Sequence, residues 1–238
     1  MGIFHEVFGH PSTKILQKNI FSDNPKLVNF RLSLIEEEKN ELKEACEKED
    51  FIEAVDAISD ILFVTYGMCH VFGICYNKDE GIPHLQYKNV KCEDNTGNLF
   101  VFSQDNEKLT TQLNTLEYDV SSLKHHCDEK NMSNVINDIH MIVCTCYTIS
   151  SLFRVDIDKC FGEVFRSNMT KVCLSEDEAK DTVEWYKQNE KRYADPSYRQ
   201  ASNGKYWVVF DKVTSKILKS IKFELPNLMQ VIFGENGK

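Results

Sequence analysis

Two short acidic runs in the first third of the chain have the spacing that metal chemistry needs. Residues 34–42 read LIEEEKNEL and residues 53–63 read EAVDAISDILF. On a helix, Glu38 and Glu41 are three apart and share a face, with Glu37 one position beside them. Asp56 and Asp60 are four apart and share a face of the following helix. Asp60 is followed by Ile61, Leu62, Phe63 and Val64. Its helix is therefore apolar nearly all round, and a carboxylate in that setting needs a partner or a metal. Two antiparallel helices that each present two acids make an oxygen-rich cage. Mg²⁺ requires hard oxygen ligands, with water and substrate phosphate completing an octahedron. The competing reading of acids on a helix is a solvated face. That reading suits Glu36, Glu44, Glu47 and Glu49, and the pattern alone leaves it open for the other four.

The elements that must carry these acids are legible from apolar periodicity. One helix is expected over 28–48, with Phe30, Leu34, Leu42 and Ala45 as its stripe, and a second over 51–71. Glu49 and Asp50 form the break between them, with N-capping potential. Residues 1–27 read as irregular. Residues 77–106 hold turn clusters and β-like runs, with a hairpin turn at Asn95–Asn98. Helices are expected again over 109–129, 132–153, 157–169 and 176–192, the last capped by Ser175. Residues 205–211 and 216–224 read as two strands of a closing hairpin. The expected organisation is an N-terminal segment with the acidic hairpin (1–76), a β-hairpin insert (77–106), a second helical hairpin with a further helix (107–171) and a closing helix and β-hairpin (172–238), all in one compact domain. The fold class is mainly α.

A shift of 81 residues lays 35–74 onto 116–155 without a gap. Glu36/Glu117, Leu42/Leu123, Lys43/Lys124, Cys46/Cys127, Ile58/Ile139, Ile61/Ile142, Tyr66/Tyr147 and Phe72/Phe153 are identical pairs. Either two amphipathic hairpins align by their shared periodicity, or the chain holds a duplication that packs as a pseudo-dimeric four-helix bundle. In the second copy Glu37, Glu38 and Glu41 become Tyr118, Asp119 and Ser122, while Asp56 and Asp60 become Asn137 and Met141. The apolar skeleton is kept and most of the acids are gone.

Composition bounds the remaining function classes. The chain has 238 residues, 42% hydrophobic and 27% charged, with a formal net charge of -9. That balance argues against a nucleic-acid partner, which demands lysines and arginines to displace counterions. No membrane partner is expected: the longest apolar run, from Ile61 to about Tyr76, is short for a bilayer span and contains His70. The N-terminus has neither the basic region nor the apolar core of a secretory leader. Met1-Gly2 invites N-myristoylation, but Glu6 stands where that motif wants Ser or Thr. The nine cysteines form no CxxC pair. They read as reduced thiols in a cytoplasmic protein.

The run Glu37-Glu38-Lys39-Asn40-Glu41-Leu42, the segment DAISDILFVTYG (56–67) and FGI (72–74) resemble the MazG-like all-α NTP pyrophosphatases. The phage and viral branch, similar to phosphoribosyl-ATP pyrophosphohydrolases, is the nearest in pattern. FHEVFGHP (4–11), VDIDKCFGEVFRSNMTK (155–171) and YWVVFDKVTSKILKSIKFELP (206–226) also look like that branch. The resemblance covers roughly 1–75 and 155–228. About eighty residues, including the second hairpin, stand where short members run directly from one segment into the other.

The resemblance implies metal ligands at Glu38, Glu41 and Asp60. Asp56 would substitute for an acid that the commoner ExxD motif places at position 57, where Ala57 stands. It implies Mg²⁺, replaceable by Mn²⁺, and hydrolysis of a nucleoside triphosphate to NMP and pyrophosphate. Glu37, or else Glu53, would handle the attacking water. Asn168 and Lys171 would contact sugar or phosphate. Lys219 is either a phosphate contact or a solvated lysine, and His5 and His10 match the N-terminal motif with a role that is equally structural. An apolar base pocket near Phe8 and Phe30 is expected, as is a homodimer built on the internal pseudo-dimer. The same family leaves room for an all-α dUTPase or a phosphoribosyl-ATP pyrophosphohydrolase. A non-catalytic nucleotide-binding scaffold is the alternative of another class.

Overall fold

The computed structural model describes residues 1–74 and 102–234, except the side chains of 103–105. In chain order the helices are α1 (Gly2–Phe8), α2 (Ile20–Asp23), α3 (Pro25–Glu47), α4 (Phe51–Phe72), α5 (Phe102–Asp128), α6 (Met132–Leu152), α7 (Ile157–Met169), α8 (Glu176–Asn189) and α9 (Leu228–Phe233). Strands β1 (Pro196–Gln200) and β2 (Trp207–Asp211) form a two-stranded antiparallel sheet. The fold is mainly α, as expected. The β-hairpin expected over 77–106 lies outside the described residues, save that 102–106 are already helical. Contacts divide the chain into two compact units. One comprises Thr13–Glu163 with Asn227–Lys238, and the other Met1–Ser12 with Val164–Pro226, the division falling within α7.

The first unit is built on two helical hairpins. Asn24 caps α3 by accepting the Leu27 N–H at 3.2 Å, and Pro25 takes the first helical position, where no N–H is needed. Val28, Leu32, Ile35, Leu42 and Ala45 recur at three- and four-residue steps and bury one stripe of α3. α4 is buried on almost every side, including Ile58, Ile61, Leu62, Met68 and Phe72. Each such side chain contributes about 1.5–3 kcal/mol of transfer free energy. By length and composition alone α4 and α6 would also cross a membrane, but 78% of the α4 window is buried within the fold, as befits a core helix. The apolar window is longer than the run from Ile61 because Ala54, Val55, Ala57 and Ile58 extend it toward the helix start.

The repeat is reproduced in backbone detail. A shift of 81 carries the end of α3 onto the end of α5 and the start of α4 onto the start of α6. Glu49 and Lys130 both adopt positive φ, at 55° and 59°. Asp50 and Asn131 each cap the following helix, accepting the N–H of Glu53 and of Asn134. α3 packs on α4 and α5 on α6, and across the hairpins α3 meets α5 while α4 meets α6. Like packs against like, the arrangement a two-fold repeat requires. Tyr66 and its counterpart Tyr147 are hydrogen-bonded to each other.

In the second unit α8 is capped by Ser175 and packs on the sheet. Cys173, Ala179, Val183, Tyr186, Val209 and Leu218 form its core. The closing hairpin forms only in part: β2 pairs along its length with Pro196–Gln200, and of the expected partner 216–224 only the start joins it, with the Asp211 N–H donating to the Lys216 carbonyl at 3.0 Å and the Leu218 N–H to the Val209 carbonyl at 2.9 Å. Beyond that pairing β2 takes two isolated bridges, Trp207 to Cys173 and Phe210 to Ile217. Buried Ser220 donates instead to the Glu178 carboxylate at 2.6 Å, which draws the chain off the sheet. α8 also stops at Asn189, short of Arg192, and residues 1–27 hold two short helices where none was expected.

Gly73 ends α4 at φ 68°, and a Cβ there would overlap the Ile15 carbonyl. Its repeat counterpart Arg154 has φ 58° and carries a full side chain. Gly73→Ala is therefore expected to lower the unfolding free energy by about 2 kcal/mol or more, and Arg154→Gly to change it by less than about 1 kcal/mol, as read from urea denaturation.

Candidate active site

The α3–α4 hairpin sets the four sequence-predicted acids at two levels. Glu38 stands nine positions before the end of α3, and Asp60 nine positions after the start of α4. Glu41 and Asp56 stand six and five positions from the same ends. With a rise of about 1.5 Å per residue, each helix brings one acid to each level, roughly one turn apart. Glu38, Asp56 and Asp60 are half-buried at the edge of the apolar stripe, while Glu41 and Glu37 are exposed. Ala57 is buried, so the position where the commoner motif carries an acid faces the core. The four donors are all oxygen, a set that fits Mg²⁺ or Mn²⁺ better than softer ions.

The cations of α3 are disposed differently from its acids. Lys39 is buried, and its ammonium meets both carboxylate oxygens of Glu117 on α5 at 2.8 and 2.7 Å. The lysine charge inside the acidic motif is thus committed to the neighbouring hairpin. Lys39, Lys43 and Glu117 line a cavity of about 660 Å³ that opens on the flank of α3 away from Glu41. Arg31, two turns before Glu38, is also buried; sequence reading passed over it because one arginine in a helical stripe has no signature. On α4, burial foremost holds the His70 imidazole below its ordinary range, and the Arg31 charge adds to the effect.

Comparison with known proteins bears on this hairpin first. Residues 1–89 match the family profile described as phosphoribosyl-ATP pyrophosphohydrolase. An uncharacterized protein of Acanthamoeba polyphaga mimivirus is 35% identical over 236 residues, covering 98% of this chain and 94% of the relative. Residues 1–89 thus resemble a phosphoribosyl-ATP pyrophosphohydrolase domain, and over its whole length the chain belongs to one family with the mimivirus protein. No solved structure matches it significantly. The family profile ends before the second hairpin, whereas the mimivirus relative extends across it.

In the second hairpin two of the equivalent positions are answered from within. Asp119, the counterpart of Glu38, is buried and accepts the Thr145 hydroxyl at 2.8 Å. Ser122, the counterpart of Glu41, donates to Asp138 at 2.9 Å, and His126 Nδ1 lies 2.6 Å from the same carboxylate. Asp138 is the counterpart of Ala57, so the acid missing from the first copy at that position stands in the second. Met141, in place of Asp60, is 46% exposed. Sequence reading also missed a donor cluster at the α5–α6 turn: ligand atoms of His125, His126 and Glu129 lie within 4.8 Å of one another. His125 and Glu129 are exposed there.

Of the remaining predicted residues all but Glu53 and Phe30 belong to the other unit. Asn168 is buried at the end of α7 and Lys171 is half-buried beyond it. Ser167 donates to the Glu224 carbonyl at 2.7 Å, and Arg166 pairs with the Glu224 carboxylate, which ties this turn to the tail. Lys219 is exposed, with its ammonium 4.6 Å from the centre of the Phe223 ring. His5 is fully enclosed, and its Nδ1 lies 2.7 Å from the Pro11 carbonyl, which makes it the donor. His10 stacks on Phe4. Phe8 is fully buried against Phe4 and offers no face to a base, whereas Phe30 is half-buried.

Burial, and then the charge of Asp138, raise the Asp119 carboxyl above its ordinary value despite the Thr145 hydrogen bond. The folded state therefore binds this proton more tightly than the unfolded chain, and the ionised form costs stability above the folded pKa. Asp119→Asn is expected to stabilise the protein at pH 7. That gain should disappear as the pH falls below the ordinary carboxylate range, as seen in paired thermal melts across pH.

Proposed function

We propose that the protein is a Mg²⁺-dependent nucleoside triphosphate pyrophosphohydrolase of the phage and viral branch, converting (d)NTP to (d)NMP and pyrophosphate. The observation that carries this reading is the matched placement of Glu38 with Asp60 and of Glu41 with Asp56, inside the segment that matches the family profile. Those four carboxylates would hold the ion, and Mn²⁺ would substitute for Mg²⁺. When bound, the ion would offset triphosphate charge and orient the phosphates. Water attacks the α-phosphorus, the bond to the bridging oxygen breaks and pyrophosphate leaves. Glu37, exposed beside the acid face, is the base proposed to take the water proton, with Glu53 as the other acid in range of that role. Asn168, Lys171 and Lys219 are proposed substrate contacts, with Lys219 leaving the Phe223 ring to reach phosphate. We further propose a cytoplasmic enzyme, free of nucleic-acid and membrane partners, that pairs as a homodimer. The thiols of Cys46, Cys69, Cys127, Cys144, Cys146, Cys160 and Cys173, none in a disulfide, suit that compartment.

Pyrophosphate release from a panel of ribo- and deoxynucleoside triphosphates with Mg²⁺ tests the reading. At least one nucleotide should turn over, Glu41→Gln should reduce kcat/KM by about 100-fold or more, and Glu44→Gln on the solvated face should retain activity. Absence of turnover, together with no effect of Mg²⁺ on the melting temperature, would sink it.

A further inference from the structure

α3 buries two cations, and their treatment is opposite. Lys39 is 7% exposed and is matched by both oxygens of Glu117. Arg31 is 4% exposed, and among the described residues neither its Nε nor its Nη2 meets a hydrogen-bond acceptor. No ion pair with it occurs among the described residues either; the ring centre of its neighbour Phe30 lies 5.7 Å from Cζ, and its charge helps to lower the His70 imidazole. Burial alone pushes its guanidinium down to about 10. A buried charge without a counter-ion is strongly unfavourable, so its persistence requires a compensating partner.

The geometry of the two open donors narrows that partner. Nε–H and Nη2–H lie on one edge of the guanidinium plane and point in parallel. That edge receives two oxygens of a single phosphoryl or carboxylate group. Its position narrows the partner further. Arg31 precedes Glu38 by seven residues, two helical turns, so the two share a face of α3 about 10.5 Å apart along the axis. The carboxylates and the guanidinium therefore form one row, acidic at one end and cationic at the other. A metal-bound polyphosphate has the length and charge to engage both ends.

We infer that Arg31 is a phosphate-binding residue of this site, with the Nε–Nη2 edge taking two oxygens of one phosphoryl group of the bound nucleotide. This rests on the pyrophosphohydrolase reading for the nucleotide, though not for the anion. The side chains over Arg31 must part to admit it, and the bond then forms out of water, where charge-assisted hydrogen bonds are strong.

Calorimetric titration with inorganic pyrophosphate and Mg²⁺ tests the assignment on the wild type, Arg31→Gln and Arg31→Met. Binding should weaken at least tenfold in both variants. With no anion present, both should melt at or above the wild-type temperature, because an uncompensated charge is removed and no internal bond is broken. Unchanged pyrophosphate affinity would overturn the proposal, and so would a lowered melting temperature in both variants, which marks Arg31 as a structural residue. Nucleotide turnover separates the two readings. Arg31-dependent pyrophosphate binding in a protein that hydrolyses nothing leaves the anion site standing and the hydrolase reading fallen. Turnover with the wild-type KM in Arg31→Gln does the reverse.

Discussion

Three residues hold α3 and α4 in register. Lys48 ends the first helix, Glu49 turns the chain at positive φ, and Asp50 caps the second helix by accepting the Glu53 N–H. A connection this short forces antiparallel neighbours and leaves no freedom to slide by a turn. The pairing of Glu38 with Asp60 and of Glu41 with Asp56 follows from that register. One residue more in the turn would rotate α4 by about 100° and carry both aspartates off the shared face. The apolar stripe and the acids are thus placed by one local device.

The same device recurs at Lys130 and Asn131, and its recurrence shows which parts of the hairpin are architectural. Turn, cap, helix ends and apolar skeleton are common to both copies. The acids are not. The second copy closes the equivalent positions with Asp119–Thr145 and Ser122–Asp138–His126, so each polar group there is answered from within the hairpin. A buried carboxylate that is fully hydrogen-bonded holds its neighbours in one arrangement, which suits a supporting half. The Tyr66–Tyr147 contact joins the halves at equivalent residues, and Tyr147 in turn donates to Asp158 at 2.7 Å at the start of α7. The second hairpin and the helix that follows it are linked to the first through this pair.

Buried charge is distributed on one principle in the well-matched parts of the molecule. Lys39 has Glu117. Glu178 has Ser220, Lys222 and the Leu174 N–H, which together hold its carboxyl below the usual range against the opposing effect of burial. Asp211 accepts from the Asp195 and Thr214 backbones and from the Thr214 hydroxyl. Against that pattern Arg31 is the exception, and it lies in the row that holds the acids rather than in the scaffold. Unmatched polar groups of this kind concentrate where a ligand completes the structure.

Sequence alone determined what is local. The helix bounds of α3, α4, α6 and α7, the caps at Asp50 and Ser175, the spacing of the four acids and the 81-residue repeat all rest on periodicity and capping, which neighbouring residues decide among themselves. α1 and α2 escaped because helices of seven and four residues are too short to establish a period. Contacts between distant segments belong to tertiary structure. How soon the tail leaves β2 was decided by where Ser220 finds Glu178, 42 residues away. The pairing of Lys39 with Glu117, 78 residues away, and the lack of an acceptor for Arg31 Nε and Nη2 among the described residues look alike in sequence, since both are basic residues in an amphipathic run. Which of two buried cations finds a carboxylate depends on what the other hairpin brings to that level, and only the packed chain determines it.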